Sequence, residues 1–235
     1  VSTQGDKRLN PPVQIDVINE SKTPLGVDLN ALVSAIQTQV TRDFAPIWGT
    51  PARLDVQTAP RSGVWRLIML DDADQADALG YHELTPDGLP QGKVFVKTTL
   101  QDHEIPTVTA SHELLEMLVD PMIDQTSERV YTRQVYAKEV CDAVEEVTYA
   151  IDGIIVSDFQ TPAWFGMPSH PNQSFDFLGK CRTAWQILKG GYMSIEGMDG
   201  WTQVFASVRA ADRFSSARKW RPQARESGVM RRSTR

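Results

Sequence analysis

Apolar and polar positions alternate along Val13-Gln-Ile15-Asp-Val17-Ile18-Asn, the period of a half-buried strand. Thr23-Pro24-Leu25-Gly26 then turns the chain. Asp28 is placed to cap a helix whose Leu29, Leu32, Val33, Ile36, Val40 and Phe44 share one face. Pro46 is expected to end this helix, with Trp48-Gly49-Thr50-Pro51 as a loop. Ala52-Arg-Leu54-Asp-Val56-Gln and Val64-Trp65-Arg-Leu67-Ile68-Met69-Leu70 read as further strands. The second is so continuously apolar that it belongs in the middle of a sheet. Residues 79–85 and 93–98 flank a Pro- and Gly-containing turn, which makes them a strand pair.

Residues 107–121 break the pattern. Leu114, Leu115, Met117, Leu118 and Val119 make the stretch apolar enough for a buried helix, with Pro121 as its stop. Yet His112, Glu113, Glu116 and Asp120 are set into it. His112, Glu116 and Asp120 are spaced i, i+4 and i+8, so they form a polar stripe on one helix face. Carboxylates are costly to bury unless something positive sits against them, and a divalent metal is the simplest such partner.

The spacing His112-Glu113-Leu114-Leu115-Glu116 resembles the H-E-x-x-H helix of the zincin metallopeptidases, with Glu116 in place of the second His. A closer likeness is to bacterial, phage and plant-secreted proteins that carry H-E-x-x-E, then D-P, then E-x-x-D. Glu113, Asp120-Pro121, Glu139 and Asp142 match that order. The resemblance implies an α+β, zincin-like fold: a twisted mixed sheet backing an active-site helix, with an edge strand bordering the substrate cleft and a smaller C-terminal subdomain. It implies His112 and Glu116 as metal ligands, Glu139 as the third, and Glu113 as general base. Asp142 would hydrogen-bond the other ring nitrogen of His112 and fix its tautomer. Asp120 is the alternative third ligand, or a cap for the helix end. Zn²⁺ is the expected ion, and so oxygen-rich a set leaves Mn²⁺ or Ca²⁺ open.

Glu139 and Asp142, three apart, would share one side of a helical turn. Beyond them the chain turns β-rich: residues 147–151 and 154–157 are strands around an Asp152-Gly153 turn. Phe159, Trp164 and Phe165 follow as an aromatic loop that reads first as core packing. Gly190-Gly191 opens a last strand region, which residues 201–208 complete. The expected organisation is a loose arm over residues 1–12, a domain over 13–208 divided near 121, and a tail over 209–235.

The remaining histidines have plainer readings. His82 and Glu83, adjacent on a strand, should point to opposite faces as an exposed edge pair. His103 falls in a connector. His170, Tyr136 and Tyr149 are weak candidates for a transition-state hydrogen-bond donor.

Charge adds one feature. The tail holds nine Lys or Arg against Asp212 and Glu226, a net of +7 in a chain whose total is −6; residues 1–208 therefore carry −13. A basic tail on an acidic body points to an acidic partner, nucleic acid or the body itself. Cys141 and Cys181 have no C-x-x-C spacing and read as two buried thiols. No signal peptide or membrane span is visible, so the expected location is cytoplasmic or virion-associated. Two functions are open: a zinc-dependent hydrolase of peptides or proteins, and a non-enzymatic assembly component, such as a phage virion protein, with a structural or degenerate site.

Overall fold

The computed structural model describes residues 11–75, 78–169, 172–198 and 200–206. Most of the expected arm, His170 and the basic tail lie outside the described residues.

The chain is α+β. Its main sheet is built from β1 (Val13–Asn19), β2 (Ala52–Gln57), β3 (Trp65–Leu70), β4 (Gly80–Leu84) and β5 (Pro90–Phe95), in the order β2-β1-β3-β5-β4. The apolar β3 takes the middle, as its composition requires. β1, β2, β3 and β5 run parallel, and the edge strand β4 is antiparallel to β5 as its hairpin partner.

Two long helices cover one face of this sheet. α1 (Leu29–Thr38) opens with the Asp28 side chain accepting from the Ala31 N–H. α4 (Pro106–Val119) is the motif helix. Ile15, Val17, Leu67, Met69 and Val94 of the sheet share one buried cluster with Leu32 and Ile36 of α1 and Leu114 and Leu118 of α4. The opposite face carries the buried Asp16, which accepts from the backbone N–H and the guanidinium of Arg61, each at 2.7 Å.

Pro46 does not end the first helix. The chain passes through a π-helical turn at Gln39–Phe44 into α2 (Ala45–Trp48), and Gly49 stops it with a φ of 74°. The wider turn removes the four-residue hydrogen bond that proline cannot make, and the Ala45 N–H reaches back to the Val40 carbonyl. Residues 96–98, expected as strand, begin the short helix α3 (Val96–Gln101).

A second sheet was only half legible. Its order is β11-β10-β7-β6, formed by β6 (Thr126–Arg129), β7 (Gln134–Ala137), β10 (Tyr192–Gly197) and β11 (Gly200–Phe205). Between its halves, β8 (Thr148–Ile151) and β9 (Ile154–Ser157) make a hairpin that packs on the far side of α4. Ser111 accepts from the Ser157 N–H at 2.8 Å, and the Thr107 hydroxyl donates to the Ile155 carbonyl at 2.6 Å. α4 is thus clamped between the main sheet and this hairpin. Phe159, Trp164 and Phe165 are core residues.

Candidate metal centre

α4 buries both its apolar and its charged residues. The His112, Glu113, Glu116 and Asp120 residues are all at most 5% exposed. The i, i+4 spacing brings Nε2 of His112 to 3.1 Å from Oε1 of Glu116. Asp142 approaches the same nitrogen from outside the helix, its Oδ1 3.4 Å away. The other ring nitrogen, Nδ1, faces Oε2 of Glu145 at 3.5 Å.

The segment supplying these two carboxylates differs from the expected helical turn. Glu139 lies outside regular structure after β7, and Asp142 opens a 3-10 helix at Asp142–Val144. That helix has about three residues per turn, so Asp142 and Glu145 emerge on one side, toward His112. The segment is pinned from several directions. The Cys141 N–H donates to Glu116 Oε1 at 3.2 Å and the Ala143 N–H to Gln160 Oε1 at 3.2 Å. Gly191 lets β10 close over it: a Cβ there would stand 2.6 Å from the Ala143 carbonyl oxygen.

The structure therefore gathers His112, Glu116 and Asp142, and adds Glu145, which the sequence reading missed. Glu145 had a signal in its D-x-x-E spacing from Asp142. It takes the position at Nδ1 that was expected of Asp142. Glu139 is buried but falls outside the close groups around His112, and its charge acts on His82 instead. Asp120 turns its Oδ1 to the backbone N–H groups of Asp124 and Gln125, at 2.7 and 2.8 Å, and closes the turn after α4. Arg133 pairs with Glu128 rather than with either carboxylate of the E-x-x-D segment.

His82 is the main correction. It is buried, not an exposed edge residue. Val17, Leu67, Gly92 and His82 lie side by side across four strands in register, so His82 points to the face that α4 covers. Gly80, two residues earlier on the same face, allows the close approach: a Cβ there would sit 2.7 Å from Thr109 Cγ2 and 2.9 Å from Glu113 Cγ. Nδ1 of His82 comes to 3.8 Å from Glu113 Oε2. Edge strands look exposed from sequence; the helix laid over this one is what buries it.

The electrostatics follow from the crowding of acids. Burial alone would lower the pKa of His112, but the charges of Glu116 and Glu145 and the hydrogen bonds to Asp142 and Glu116 outweigh it and hold the imidazole well above its ordinary value. For His82, burial is again outweighed by Glu113, Glu139 and Glu116, which raise it to about 9. Burial pushes the Cys141 thiol up, and Glu116 adds to the effect. Both cysteines are unbridged.

Among the described residues, three sets of side chains can each bring one donor atom within 4.8 Å of the others: His112, Glu116 and Cys141; His112, Asp142 and Glu145; and His82, Glu113 and Glu116. One imidazole with two acidic oxygens suits a divalent first-row ion. Among the described residues no helix is long and apolar enough to cross a membrane. No family model, curated protein or solved structure matches this chain.

Proposed function

We propose that the chain is a zinc-dependent hydrolase of the zincin-like kind, acting on peptide bonds. The observation that carries this reading is the meeting at one imidazole of Glu116, one helical turn away, and Asp142, from a separate element. The order of elements also supports it: strand, helix, strands, an antiparallel edge strand and then the motif helix beneath that edge.

His112, Glu116 and Asp142 would hold the ion, with Glu145 fixing the imidazole from its other nitrogen. The chemistry such an ion would supply is Lewis-acid activation of a water and of the scissile carbonyl. Glu113 follows His112 directly and presents its carboxylate to the same polar interior, placed to accept a proton from the attacking water and return it to the leaving amine. The clamp of sheet and hairpin on α4 fixes these groups before substrate arrives.

The burial of His112, Glu113 and Glu116 favours a second reading, an ion that is structural and the chain a non-enzymatic scaffold. Metal analysis of the purified chain and of Glu116→Ala tests both readings, alongside peptide-library cleavage by the wild type and Glu113→Gln. The hydrolase reading expects a bound ion, lost in Glu116→Ala, with cleavage abolished by Glu113→Gln. Bound metal without cleavage would leave the scaffold. No metal would end both.

A further inference from the structure

Glu116 belongs to two of the donor sets at once: it meets His112 on one side, and His82 and Glu113 on the other. His82 comes from β4 and owes nothing to the H-E-x-x-E spacing. Its Nε2 is buried with no hydrogen-bond partner, while its Nδ1 faces Glu113. A ring this deeply buried, with one nitrogen toward Glu113 and the other unsatisfied, stands beside two carboxylates as a ready cation ligand.

Charge points the same way. Glu113, Glu116, Glu139, Asp142 and Glu145 bring five carboxylates around two imidazoles. One divalent ion leaves these five carboxylates with an excess of negative charge, in a buried setting where uncompensated charge is costly. A second divalent ion removes most of that excess.

We infer that the site holds two divalent metal ions, the second bound by His82 and Glu113 and bridged to the first through the Glu116 carboxylate. This rests on the proposal of a first ion at His112. Paired ions sharing a carboxylate stand about 3.5–4 Å apart in such centres, a spacing for which one carboxylate with two oxygens is suited. The second ion is of the same borderline class as the first, Zn²⁺ or Mn²⁺, because its donors are one imidazole and carboxylate oxygens. Glu113 offers it one oxygen and keeps the other for proton transfer.

The test is the metal content of the full chain after loading with Zn²⁺ and dialysis, for the wild type, His82→Ala, Glu113→Gln and His112→Ala. Two equivalents are expected in the wild type and one in His82→Ala, and Glu113→Gln should weaken the second equivalent at least tenfold. Loading with Mn²⁺ gives a second readout: the paramagnetic resonance spectrum should show a spin-coupled pair in the wild type and an isolated ion in His82→Ala. Circular dichroism confirms that each variant is folded; should His82→Ala unfold, His82→Asn takes its place. One equivalent in the wild type, unchanged by His82→Ala and lost in His112→Ala, overturns the second ion and leaves the first standing. No metal in the wild type overturns both.

Discussion

Oε2 of Glu145 lies 3.5 Å from Nδ1 of His112, on the side of the ring away from Glu116. With an ion bound at Nε2, a carboxylate there would select the tautomer that leaves the Nε2 lone pair for the ion and would raise the basicity of that nitrogen. Glu145→Gln should keep the fold but weaken metal binding by about 10–100-fold. Competition with a chromophoric chelator measures it. An unchanged affinity would place Glu145 outside the centre.

The H-E-x-x-E spacing was legible because a helix turns local sequence into geometry: four residues along α4 is one turn, and His112 and Glu116 meet. Glu145 and His82 were not legible to the same degree, for different reasons. Glu145 depends on a 3-10 helix, whose short run leaves little periodicity to detect. His82 depends on packing between distant segments, since nothing local to β4 says that α4 will lie across it. β6 was missed because Thr126-Ser-Glu-Arg has no apolar alternation; its pairing with β7 supplies the order. Pro46 misled in the opposite sense, as a strong local signal overridden by a π-helical turn.

The closeness of α4 to β4 makes Gly80 a sensitive position. A Cβ added there meets Thr109 Cγ2 at 2.7 Å, the Lys93 carbonyl oxygen at 2.8 Å and Glu113 Cγ at 2.9 Å. The Lys93 contact is with backbone inside the sheet and cannot swing away. Gly80→Ala should cost about 1–3 kcal/mol, the usual cost of forcing atoms into a packed interior. Urea denaturation reads it, and the same displacement of Glu113 should lower any hydrolytic activity in the folded fraction.

Asp120 separates a structural role from a ligand role. Its fully buried carboxyl accepts two backbone N–H groups through Oδ1, from the half-buried Asp124 and the exposed Gln125. Asp120→Ala removes both bonds from donors that water can reach in part, and should destabilise the chain by about 1–3 kcal/mol, counting roughly 0.5–1.5 kcal/mol for each. Metal content per folded chain should not change. A loss of metal in a variant that still folds would restore Asp120 as a ligand.

Asp158 gives the chain a pH dependence that can be isolated from the candidate metal centre. It is fully buried and accepts from the Leu178 N–H, with Asp176 beside it. Burial first, and then the adjacent Asp176, raise its pKa to about 8. Tyr149, Cys141 and Cys181 also interact with it, and none of these is cationic. In the unfolded chain an Asp loses its proton near pH 4. Between about pH 4 and 8 the folded state therefore binds more protons than the unfolded state, and stability falls as pH rises across that window, levelling off above it. The contribution is on the order of a few kcal/mol. Asp158→Asn keeps a neutral hydrogen-bonding side chain at all pH values, so the variant should gain on the wild type steadily from pH 5 to 8. Denaturation midpoints at four pH values, measured for both proteins without added metal, give the difference directly. Parallel pH profiles would mean that Asp158 is ionised in the folded chain across this range.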